Sequence, residues 1–142
     1  MWRKICCAID LSPHSDAVVR AASGMARRFG AGLVLVNVEE MPVESALYSQ
    51  PEVLEAERCS RQYALEERKR AATDLSGAEV DTATLADHDA VARVVDFARD
   101  AACDLIVVGA RAASRHSPFE SFAEKIVRRS PCSVLVVRNP CA

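Results

Sequence analysis

The sequence predicts a three-layer α/β/α fold built on a five-stranded parallel sheet, doubly wound. Two observations predict it. Short, nearly continuous apolar runs read as strands covered on both faces, and they alternate with longer segments whose apolar residues recur at helical spacing. Strand and helix in strict alternation is the pattern of a parallel sheet joined by right-handed crossovers. The length of 142 residues falls in the range of one hydrophobic core, so residues 1–142 are expected to form a single domain.

Ile5-Cys6-Cys7-Ala8-Ile9 is the first such run, stopping at Asp10. Ala17, Val18, Ala21, Ala22, Met25, Ala26 and Phe29 then follow helical periodicity, with Ser12 or Ser15 expected to cap the start and Gly30 to close the end. Residues 33–38 supply the second strand, ending at Val38. The stretch 39–51 is long for a connection in a compact domain. A charged segment, 53–75, reads as an exposed helix with Val53, Ala56, Tyr63, Ala64, Ala71 and Leu75 as its inner face. Residues 78–85 form a weaker strand with threonines. Asp87 or Asp89 caps the next helix, whose stripe is Ala90, Val91, Val94, Val95 and Ala98. Asp104-Leu105-Ile106-Val107-Val108-Gly109 is the clearest buried strand, its glycine freeing the backbone to turn. Phe122, Ala123, Ile126 and Val127 mark the last helix, and Ser133–Val137 the last strand.

Composition narrows the function classes. With 18 Lys and Arg against 20 Asp and Glu, the formal charge of −2 gives no footprint for nucleic acid or an anionic membrane. No apolar stretch approaches the ~18 residues of a membrane span, and the first run is too short for a signal-peptide core, so a cytoplasmic location is expected. Aromatic residues make up 5% of the chain, so the core is expected to be aliphatic. The six cysteines include no pair at zinc-ligand spacing and read as reduced, buried small hydrophobes.

Several separated motifs resemble one family. Ala8-Ile9-Asp10-Leu11-Ser12 is similar to the first-strand motif of universal stress proteins, and the run from Asp104 to Gly109 to their fourth-strand motif. Glu124-Lys125 and Pro131-Cys132-Ser133-Val134-Leu135-Val136-Val137 resemble the closing helix and strand. The resemblance spans essentially the whole chain. It implies an adenine-nucleotide α-hydrolase-like domain that forms a homodimer through the edge of the last strand, Ser133–Val137. It implies a stress-response or regulatory role rather than turnover, with an unidentified protein partner, and ATP binding in some members only.

The resemblance also gives a candidate nucleotide site at Asp10, Val38, Gly109, Arg111, Ala112 and Ser121. ATP-binding members place glycines after the fourth strand so that backbone N–H groups approach phosphate, and a Gly-Ser or Gly-Thr pair opens the following helix toward the anion. Here Gly109 is present, Ala112 replaces the second glycine and Glu120 precedes Ser121. Seven residues, 113–119, separate the halves, a shorter loop than the family pattern. Glu120 opposes a polyphosphate, since like charges about 4 Å apart repel by roughly 1 kcal/mol in water and several-fold more near protein. The expectation is no resident cofactor, ATP or AMP being the candidate ligand and ATP binding weak or absent. The alternative is a nucleotide sensor or slow ATPase in which Arg111, Arg115 and His116 grip phosphate. Asp10 would contact the nucleoside, or serve only as a turn residue; Val38 would supply an apolar wall, or only core.

Two rival chemistries are weaker. Ser12, His14 and Asp16 are triad residue types, but their spacing around a helix start does not form a triad relay. His88 between Asp87 and Asp89 offers too few ligands for a metal, and no metal is expected.

Overall fold

The computed structural model describes residues 1–40, 50–87, 89–110 and 121–138, with the side chains of Glu39 and Glu40 outside that description. In chain order the elements are β1 (Lys4–Ile9), α1 (Ser15–Phe29), β2 (Gly32–Glu40), α2 (Pro51–Ser76), β3 (Val80–Asp87), α3 (Ala90–Asp100), β4 (Leu105–Gly109), α4 (Phe122–Arg129) and β5 (Ser133–Val137). The strands form one sheet in the order β3-β2-β1-β4-β5, every neighbouring pair parallel. The order reverses between β1 and β4, where Ile5 pairs with Leu105 and Ala8 with Val108.

Strand alternation divides the interior into two aliphatic layers. Ile5, Cys7, Ile9, Leu33, Leu35, Leu105 and Val107 pack with Val18, Val19, Ala22 and Ala26 of α1 and with Leu65 and Ala72 of α2. Cys6, Ala8, Val34, Val36, Ile106 and Val108 face the other way, onto Val91, Val94, Val95 and Ala98 of α3 and Ala123 and Ile126 of α4. Both faces of the central strands are therefore covered, which is why their sequences are almost unbroken apolar runs. The doubly wound three-layer fold is as the sequence predicts.

Element boundaries follow pairing and caps. β2 runs past Val38 because Val38, Glu39 and Glu40 pair with Leu85, Ala86 and Asp87, and the same register shifts β3 beyond the expected 78–85. Gly30 closes α1 at φ 63°, its N–H donating to the Ala26 carbonyl, as expected of a left-handed cap. The start of α1 differs from expectation. His14 occupies the cap position with helical backbone and no side-chain cap, while Ser15 lies inside the first turn, buried. At α3 the cap is Asp89, whose Oδ1 accepts the Ala92 N–H at 3.0 Å, and Asp87 accepts the Asp89 N–H at 3.2 Å.

The expected inner face of α2 is overturned. Val53, Tyr63 and Leu75 are 49%, 68% and 42% exposed, and the buried positions are Leu65, Ala72 and Ser76. Ala56 and Ala71 are exposed too, with Ala64 only partly covered. The physical reason is that residues 51–63 of this helix are exposed throughout, so apolar residues there have no core to fix their phase. In α4 Ala123 and Ile126 are buried, whereas Val127 is exposed.

Candidate functional site

In open α/β sheets ligands collect beyond the carboxyl ends of the strands where strand order reverses; here that place is the rim above β1 and β4. Asp10 follows β1 directly, and its Oδ1 accepts the Ser12 N–H at 3.0 Å, an Asx-type turn. Leu11 between them sits at φ 64°, a left-handed conformation costing a non-glycine residue about 1–2 kcal/mol. Such strain persists only where the surroundings hold it.

The holding group is Arg68 of α2. Its Nη2 donates to the Leu11 carbonyl at 3.1 Å and the Ser12 carbonyl at 3.2 Å, and its Nε donates to Ser15 Oγ at 2.7 Å. Ser15 Oγ in turn donates to the Ser12 carbonyl at 2.7 Å, and Asp16 Oδ1 lies 4.0 Å from the guanidinium. A planar fork of donors thus gathers the acceptors of one turn. Sequence reading missed this residue, since its partners lie more than fifty positions away. It also missed Asn37, which is buried at the same end of β2, opposite Ile9.

On the other side of the switch point, Gly109 ends β4. A β-carbon there would stand 2.9 Å from Val18 Cγ2. The expectation that this glycine frees the backbone to turn is corrected, because the glycines with positive φ among the described residues are Gly30 and Gly77. Close approach of α1 is what requires Gly109. Ala110 then donates its N–H to the Val137 carbonyl at 2.8 Å. Ser121 caps α4, its Oγ accepting the Glu124 N–H at 3.2 Å, while a serine hydroxyl that accepts still has a proton to donate. Val38 packs, partly buried, against the α3 layer. It is no longer the end of its strand.

The structure therefore brings Asp10 and Gly109 to adjacent strand ends, with Ser121 at a helix start. Arg111, Ala112, Arg115, His116 and Glu120 lie outside the described residues, as does His88. Ser12 Oγ is buried without a hydrogen-bond partner, so no serine–histidine hydrogen bond links it to His14. Among the described residues no group of three or more His, Cys, Asp or Glu side chains is arranged to hold a metal ion. Nor, among those residues, is any helix long and apolar enough to cross a membrane.

A profile described as the universal stress protein family matches residues 1–138. A Staphylococcus epidermidis protein named as a universal stress protein is 32% identical over 145 aligned positions, covering 97% of this chain and 85% of the relative. Among solved structures, a universal stress protein in complex with cAMP superposes with a TM-score of 0.75 at 21% identity, covering 96% of this chain and 97% of that one. The universal stress protein of Archaeoglobus fulgidus in complex with dAMP superposes with a TM-score of 0.63 at 21% identity, covering 95% and 97%. At such identities the structural likeness shows the fold.

Proposed function

The chain belongs to the universal stress protein family, and from that premise we propose that it is a non-enzymatic stress-response or regulatory homodimer. Its ligand class is an adenine nucleoside monophosphate, and ATP is bound weakly or not at all. The observation that carries this reading is the placement of Asp10, directly after β1, and Gly109, at the end of β4, on neighbouring strands at the point where strand order reverses. Asp10 is the group for the nucleoside, Val38 the apolar wall, and the Ser121 hydroxyl a donor for one phosphate. Arg111 and Ala112, which follow Gly109 closely in the sequence, complete the candidate set. The sequence opposes a longer phosphate chain there, with Ala112 in place of glycine, a short 113–119 segment and the Glu120 carboxylate.

Dimer formation is supported by the two sheet edges, which differ in chemistry. The β3 edge carries Asp81, Thr82, Thr84 and Asp87, while β5 reads Ser133-Val134-Leu135-Val136-Val137. Val136 is 36% exposed, and an apolar edge of unpaired backbone groups suits a second copy of the strand. In this reading residues 1–142 are one cytoplasmic domain, without nucleic-acid or membrane partners. Light scattering should give the mass of a dimer, and a monomer at high concentration would contradict it.

Related folds in complex with cAMP and dAMP suit the proposed monophosphate class, and one alternative takes a longer phosphate chain. In it the chain is a nucleotide sensor or slow ATPase using Arg111, Arg115 and His116 for phosphate. Acid extraction of the purified protein separates the two readings. The proposal expects no ATP in the extract and no hydrolysis of added Mg-ATP; stoichiometric ATP or measurable turnover would replace it with the alternative.

A further inference from the structure

Arg68 is placed to do more than brace a turn. Leu65 and Ala72, buried on either side of it along α2, pack in the same cluster as α1, so the helix is anchored about one turn before and one turn after the guanidinium. All three nitrogens of the side chain are engaged. Nη1 donates to the Ala64 carbonyl of its own helix at 3.3 Å, which sets the direction of the fork. Nε and Nη2 take Ser15 Oγ and the Leu11 and Ser12 carbonyls. The side chain is 15% exposed, and bonds from a charged donor are stronger there than in open water.

The turn has little of its own to hold it. Ser12 Oγ, the kind of hydroxyl that caps a helix start, is buried without a hydrogen-bond partner. The Ser12 carbonyl instead accepts the Ser15 N–H at 3.0 Å and the Ser15 hydroxyl at 2.7 Å, and that hydroxyl is aimed there because its oxygen accepts from Arg68 Nε. Asp10 is bonded into the same turn, its Oδ1 accepting the Ser12 N–H. The carboxylate assigned to the nucleoside therefore takes its direction from a backbone that Arg68 keeps left-handed at Leu11.

We propose, resting on the monophosphate reading above, that Arg68 is a positioning residue for the nucleoside, acting on Asp10 through the Leu11 turn and not by contact with phosphate. Without the clamp the turn divides between the left-handed form and the commoner backbone forms, and affinity falls by the fraction that stays competent. The left-handed cost at one non-glycine residue corresponds to a loss of about 5- to 30-fold. Since the Arg68 donors are taken by protein acceptors, adenosine and AMP, which share the nucleoside and differ in the phosphate, should lose equally.

The test is calorimetric titration of the full chain with adenosine and with AMP, well below the melting transition of each variant. Arg68→Gln should weaken both ligands by the same factor, about 5- to 30-fold. Arg68→Lys keeps the charge without the fork and should weaken both by less; should the glutamine variant not fold, the lysine variant carries the test. Arg70→Gln removes the same charge from an exposed position of the same helix and should leave both affinities unchanged. Glycine adopts the left-handed form without steric cost, so in a Leu11→Gly background Arg68→Gln should weaken binding far less. The proposal is overturned if both Arg68 variants bind as wild type does, or if AMP alone is weakened, which would make Arg68 a phosphate ligand. It is overturned equally if Arg70→Gln loses as much, or if the loss is undiminished in the Leu11→Gly background. Wild-type protein that binds neither adenosine nor AMP would remove the nucleotide reading and the proposal together, a result distinct from wild-type binding that is insensitive to Arg68.

Discussion

At the carboxyl rim a cation holds backbone carbonyls, and at the amino rim an anion holds backbone N–H groups. Arg68 collects the Leu11 and Ser12 carbonyls and Ser15 Oγ at 2.7–3.2 Å. Asp104 receives the Arg3 and Lys4 N–H groups at 2.9–3.1 Å. The first arrangement keeps an open, strained turn in one shape beside the switch point. The second ties the starts of β1 and β4 together. The difference teaches that one end of this fold holds a strained turn in place beside the switch point, whereas the other ties two strand starts together.

The largest effect is expected from breaking the first clamp. Arg68→Ala strands the acceptors of the turn and should cost about 3 kcal/mol in urea unfolding, the scale of lost hydrogen bonds to a charged group. Amide exchange at Ser12 to Ser15 should accelerate more than exchange in β4, and Arg68→Lys should recover part of the loss. Equal acceleration in both places would mean that the guanidinium does not hold the turn specifically.

A smaller effect sharpens the account of the switch point. Gly109→Ala places a methyl group 2.9 Å from Val18 Cγ2 and should destabilise by about 1–3 kcal/mol through overpacking. Combining it with Val18→Ala should cost less than the sum of the single changes, because the pair is in contact. Strict additivity would remove the packing explanation for this glycine.

The smallest effect belongs to the amino rim and depends on pH. The Lys4 and Arg3 N–H groups lower the Asp104 carboxyl below its usual range. A carboxyl depressed on folding stabilises above its unfolded value, near ~4, and that contribution is lost as pH falls through the folded value. Thermal unfolding should therefore show Asp104→Ala melting below wild type at neutral pH, with the gap closing in acid. A gap that is constant down to strongly acidic pH would contradict this assignment.

Much of this was legible in the sequence, and the exceptions share a cause. Strands buried on both faces leave continuous apolar runs, so β1 and β4 can be read directly, and all five apolar residues of the α3 stripe are buried. The α2 face was misread because Leu65, Arg68 and Ala72 are selected by contact with distant elements rather than by local contrast. Arg68 has no local signature at all. Gly109 was legible as important, but its reason, the approach of Val18, exists only in three dimensions. The cysteines read as buried small hydrophobes, yet Cys59 is exposed and Cys132 only partly buried. At the site, the family resemblance pointed to Asp10 and Gly109, which the structure places at neighbouring strand ends. Arg111, Ala112, Arg115, His116 and Glu120, outside the described residues, rest on the sequence pattern.

Calorimetric titration of the protein with AMP and then Mg-ATP tests most directly whether the carboxyl rim accepts a nucleoside monophosphate but rejects a polyphosphate. The account predicts that AMP binds at least as tightly as ATP, with ATP too weak to saturate at micromolar concentration. Micromolar or tighter ATP binding, exceeding that of AMP, would contradict it.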